Sequence, residues 1–73
     1  MMHFPEMIKY IKTRREMLQV TQEMLAELAG VSLRTLKQFE SGRGNPTLQT
    51  LSKLADALGL ELALKVKTLS DNK

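Results

Sequence analysis

Seventy-three residues with eleven Lys/Arg, eight Asp/Glu, one His and no Cys make a small, mildly basic chain of formal charge +3. That length holds one packed core rather than two, and without cysteine neither a disulfide nor a thiolate zinc site can brace it. Self-association is the remaining source of extra stability. His3, the lone histidine, has no second ligand at metal spacing, so no metal and no other cofactor is expected. Catalysis lacks its parts too: there are no paired carboxylates on a shared face, no thiol, and no phosphate loop of the G-x-x-x-x-G-K kind. No apolar run approaches the ~20 residues of a membrane span. Met1 to Pro5 also lacks the basic and apolar regions of a signal peptide. A cytoplasmic chain with no membrane partner is the expectation, and the cysteine-free composition suits that reducing compartment.

Residues 1–4 are expected to be a disordered lead. From Pro5 to Leu18 the apolar residues Met7, Ile8, Ile11 and Leu18 recur at helical spacing, with Lys9, Lys12 and Arg14 on the other side. Pro5 suits a first helical turn and Glu6 complements its dipole. Thr21 offers an N-cap oxygen to a second, short helix whose predicted buried stripe is Met24, Leu25, Leu28 and Ala29, stopped by Gly30. Ser32 can cap a third helix in which Leu33, Leu36 and Phe39 repeat every three residues until Ser41-Gly42. Gly42-Arg43-Gly44-Asn45-Pro46 is dense in turn formers. Thr47 then caps a fourth helix carrying Leu48, Leu51, Leu54, Ala55 and Leu58, stopped by Gly59. Met7, Met17, Met24 and Tyr10 are expected in core or interface packing rather than at any cofactor.

After Gly59 the period shortens to two. Leu60, Leu62, Leu64 and Val66 alternate with Glu61, Ala63, Lys65 and Lys67, the pattern of a half-buried strand. A fifth short helix is the other option, though helical geometry would scatter those four apolar residues around its circumference. A lone strand leaves its backbone groups unpaired unless a second copy supplies the partner. Residues 60–67 are therefore the expected dimerisation element, with 68–73 a flexible tail.

Two short helices joined through Gly30-Val31-Ser32, the second one basic outside, match the helix-turn-helix unit. On a helical wheel Leu36 and Phe39 share one side of the third helix, whereas Arg34, Lys37 and Gln38 share another. Those outer types are the ones that read base edges: Arg or Lys on guanine, Gln on adenine. An RNA-stacking platform is not visible, because the aromatic residues are only Phe4, Tyr10 and Phe39.

Thr21-Gln22-Glu23-Met24-Leu25-Ala26-Glu27-Leu28-Ala29-Gly30-Val31-Ser32, followed by Leu36-Lys37-Gln38-Phe39-Glu40-Ser41-Gly42, resembles the phage-repressor and Cro (XRE-like) family. The loop residue Pro46 and the helix end Ala55-Asp56-Ala57-Leu58-Gly59 extend the resemblance across about residues 6–59. It implies an all-α, four-helix repressor-like domain over residues 5–59 that represses transcription by binding operator DNA as a homodimer. It further implies that Gln22 holds a DNA phosphate at the start of the second helix. Base reading would fall to Ser32, Leu33, Arg34, Thr35 and Gln38, with Lys37 at the edge between base and phosphate. Leu33 either meets a thymine methyl or packs inward. Arg43 and Asn45 match the loop that touches the backbone, and Arg15 with Glu40 matches a structural ion pair between the first and third helices.

The alternating segment Leu60 to Lys67 resembles the C-terminal strand of HipB-type antitoxins, which pairs across the dimer axis. That likeness implies an autoregulatory antitoxin with a HipA-type kinase toxin as partner, bridging half-sites about 34–36 Å apart. The other reading is a stand-alone repressor with no toxin.

Overall fold

The computed structural model describes residues 4–64 and contains four helices: α1 (Phe4–Met17), α2 (Gln22–Ala29), α3 (Leu33–Glu40) and α4 (Leu48–Ala57). Three of them start on a hydroxyl cap. Thr21 Oγ1 accepts from the Met24 amide at 3.0 Å, Ser32 Oγ from Thr35 at 3.0 Å, and Thr47 Oγ1 from Thr50 at 3.1 Å. Each cap residue holds extended backbone, and each such bond is worth about 1 kcal/mol.

All four helices stop in the same way, on a left-handed residue with two converging amide bonds. At α2 that residue is Gly30, with φ 74°; its amide donates to Glu27 O at 3.3 Å and the next, Val31, to Ala26 O at 3.0 Å. Gly42 and Gly59 close α3 and α4 likewise. At α1 the left-handed residue is Gln19, with φ 58°; its amide donates to Glu16 O at 2.9 Å and that of Val20 to Arg15 O at 3.1 Å. A side chain there costs roughly 1–2 kcal/mol that glycine would not pay, against the roughly 0.5–1 kcal/mol of extra unfolded-state freedom glycine brings. Gln19→Gly is therefore expected to raise stability by about 0.5–1 kcal/mol and Tm by about 3–6 °C. Thermal melting monitored by circular dichroism checks this, and an unchanged or lower Tm would mean the turn stores no strain.

Ile8 and Ile11 from α1, Leu25 and Ala26 from α2, Leu36 and Phe39 from α3, and Leu51, Leu54 and Leu58 from α4 and its end form one core. Helix α2 packs on both α3 and α4, and α1 packs on α3. The expected stripe of α2 is turned by about one residue: Leu25 and Ala26 are buried, Ala29 is half-buried, and Met24 and Leu28 stand 48% and 65% exposed. Successive residues lie about 100° apart on a helix, so Leu25, Ala26 and Ala29 fill the inward arc and leave 24 and 28 beside it. Met17 and Tyr10 are also exposed, while Met7 packs against the core.

The expected strand is not seen over its described part. Among the described residues there is no strand, and residues 60–64 are neither ladder nor helix. Every other described element is a helix, so within one chain this segment has no backbone to pair with, and the expected partner is a second copy. Leu60 still packs against the core, and its amide donates to Ala55 O at 2.8 Å, whereas Leu62 and Leu64 are exposed. The expectations for Val66, for residues 65–67 and for the tail 68–73 lie outside the described residues, as do those for residues 1–3; Phe4 opens α1. Among the described residues no helix is long and apolar enough to cross a membrane.

Candidate nucleic-acid interface

Helix α3 is the most strongly two-faced of the four. Its inner face seats Leu36 and Phe39, both essentially fully buried. Arg34, Lys37 and Gln38 project from the outer face, all exposed and with no side-chain hydrogen bond or ion pair among the described residues. Together with Leu33, Ser41 and Arg43 they line one open groove. That lining contains three cations and no acid.

The turn after α3 carries the groove onward. The Arg43 amide and the Ser41 hydroxyl both donate to Gln38 O, each at 2.9 Å, which fixes the turn to the last part of α3. Asn45 is exposed and lines a neighbouring cleft with Thr35, Gln38, Arg43, Thr47 and Thr50. Gly44 has φ 75°, and a Cβ there would stand 3.9 Å from Gln38 Oε1, so the Gln38 side chain leans over this loop.

Leu33 packs against the core and is half-buried, while its remaining surface lines the groove. Ser32 and Thr35 are engaged with one another: the Ser32 hydroxyl donates to Thr35 Oγ1 at 2.8 Å. With its own acceptor role as cap, that leaves Ser32 few free sites and leaves the Thr35 hydroxyl proton available.

Between α1 and the end of α3, Arg15 and Glu40 make a two-point pair. Arg15 Nε donates to Glu40 Oε2 at 2.7 Å and Nη2 to Oε1 at 3.0 Å, and Nη1 donates to Val20 O at 2.7 Å. The side chains are 11% and 3% exposed. The hydrogen bond to Glu40 holds the Arg15 guanidinium above its already high ordinary range. A raised base stabilises the fold at every pH below its unfolded value and loses that contribution only as pH climbs through the folded one. Arg15 therefore introduces no pH dependence near neutrality.

Gln22 joins this network. Its Nε2 donates to Glu40 Oε1 at 3.0 Å, from a half-buried position at the start of α2. One amide N–H thus remains for an outside acceptor. Spacing along the chain gave no sign of this bond, because the partners are 18 residues apart. Arg14 was equally hidden: it looks like part of a solvated face, yet its Nε donates to Leu58 O at 3.0 Å and ties α1 to the end of α4. Among the described residues no group of His, Asp or Glu is arranged to hold a metal.

The helix-turn-helix family HTH_3 matches residues 11–65 of the chain. The transcriptional repressor RstR of the cryptic phage CTXphi from Vibrio cholerae serotype O1 is 38% identical over 52 residues, covering 71% of this chain and 46% of RstR. The immunity repressor protein of Bacillus phage phi105 is 42% identical over 53 residues, 73% of this chain and 37% of that protein. An HTH-type transcriptional regulator of Methanothermobacter thermautotrophicus is 43% identical over 51 residues, 70% of this chain and 74% of that protein. The chain belongs to the helix-turn-helix family of phage-repressor and Cro (XRE-like) type, a family of DNA-binding regulators. It spans less than half of each of the two phage repressors.

Proposed function

We propose that this chain is the DNA-reading domain of a transcriptional repressor. The carrying observation is the division of α3, whose inner face is locked in the core while Arg34, Lys37 and Gln38 stand free beside Arg43. In this reading α3 enters the major groove, with Arg34 and Gln38 on base edges and Thr35, Ser32 and the exposed part of Leu33 beside them. Lys37, Arg43, Asn45, the remaining amide N–H of Gln22 and the N-terminus of α2 hold phosphates. The two named phage repressors among the relatives support the repressor role.

The domain acts as a homodimer in this reading. Leu62 and Leu64 are exposed apolar residues beside an apolar groove that also includes Met7, Leu48 and Leu51, and pairing of the 60–67 segments would cover them. The antitoxin role, with a HipA-type kinase as partner, rests on the alternation of that segment alone. A stand-alone repressor accounts for the helices equally well.

One experiment tests specificity and symmetry together: selection of bound sequences from a pool of random double-stranded DNA. An inverted repeat with half-site centres about 10–10.5 base pairs apart, or a multiple of that spacing, is the expected result. A single unrepeated site would remove the dimer, and recovery of no preferred sequence would remove specific reading.

A further inference from the structure

Resting on the DNA-binding reading, we propose that Lys9 and Lys12 of α1 form a second phosphate-binding site, which holds the DNA backbone flanking the segment read by α3. The two lysines are three residues apart, so they leave α1 on the same side. Both are exposed, and neither has an ion-pair partner among the described residues. They line a surface groove with Glu40, Ser41 and Gly42 at the end of α3. Ser41 also lines the groove of Arg34, Lys37 and Arg43. The two grooves therefore adjoin at Ser41 in the turn after α3, with five cations along their linings.

The one acid in the lysine groove does not cancel this charge. Glu40 is turned inward, its side chain 3% exposed, with one oxygen accepting from Arg15 and the other from both Arg15 and Gln22. What faces the solvent is the pair of ammonium groups. Lysine is a flexible point charge without the planar fork that reads bases or carboxylates in register. The matching ligand is a phosphodiester backbone contacted without regard to sequence. Continuity with the α3 groove selects DNA over an acidic protein surface, because one duplex seated on α3 runs past the turn at Ser41.

The test compares the intact chain with K9A/K12A on a mixed-sequence duplex two helical turns long, by fluorescence anisotropy across a salt series. Each phosphate contact contributes about 0.9 to the slope of log affinity against log salt, so the double variant is expected to lower that slope by about 1.8. Melting temperature should not move, since both side chains are exposed. On sequences recovered by selection, affinity should fall by the same factor for preferred and mutated sites. K9R/K12R should retain the wild-type slope, which separates charge from lysine itself. A slope unchanged in K9A/K12A overturns the proposal and leaves the DNA reading intact. If the wild-type chain binds neither duplex, it is the DNA reading that fails, and this site falls with it.

Discussion

Replacing Arg34 and Gln38 together by Ala is expected to lower affinity for the selected DNA sequence by about 30-fold to 20,000-fold, since each two-point base contact is worth about 1–3 kcal/mol. The melting temperature should be unchanged, because neither side chain makes an internal bond among the described residues and both are exposed. Binding to random duplex should fall far less. In the proposed reading Lys37, Arg43 and the start of α2 still supply phosphate contacts, and those dominate sequence-independent affinity. Anisotropy titrations on selected and scrambled duplexes give both numbers. Specific affinity that survived the double change, in a protein that melts normally, would move base reading away from α3.

The other large effect concerns stability. Arg15→Ala removes three hydrogen bonds and leaves Glu40 buried with only the Gln22 amide for company. Breaking a buried pair from one side typically costs about 3–5 kcal/mol, as much as a core of this size supplies in total. The variant is expected to be largely unfolded at 25 °C, with helical circular dichroism lost and no cooperative urea transition. The double variant R15M/E40L should fold again, because no charge is then left unpaired. It should stop short of exceeding the wild type, since Val20 O and the Gln22 amide both lose a partner. A single Arg15→Ala variant that melts like the wild type would reduce the pair to an ornament of the surface.

The contrast between what was legible in the sequence and what was not follows the range of the forces involved. Thr21, Ser32 and Thr47 are readable as caps because each acts on an amide three residues away. Gly30, Gly42 and Gly59 are readable as stops because the left-handed conformation is nearly a glycine preserve. Gln19 does the same work without that signature. Its turn is held by the bond from Arg15 to Val20 O, and Arg15 is itself oriented by Glu40, far along the chain. The rotation of α2 was hidden for a similar reason. Met24 and Leu28 form as good a stripe as Leu25 and Ala29, and only packing on α3 and α4 decides between them. Residues 60–64 are a different case: their alternation is plain, but a period describes a segment's faces, and the neighbouring backbone a ladder requires has to come from a second copy of the chain.

At the candidate site, residue types on α3 were enough to separate its two sides. They did not show that Leu33 divides its surface between core and groove, or that Gln22 is already bonded to Glu40. Both depend on where a distant element settles.

The independence of the two sides of α3 has a consequence for how such a domain can change over time. Leu36, Phe39 and Glu40 carry the helix's obligations to the rest of the molecule, while positions 34, 37 and 38 carry none among the described residues. Substitutions at those three positions are nearly free of folding cost, so under the proposed reading a lineage built on this scaffold can acquire a new DNA address in a few steps without passing through an unstable ancestor.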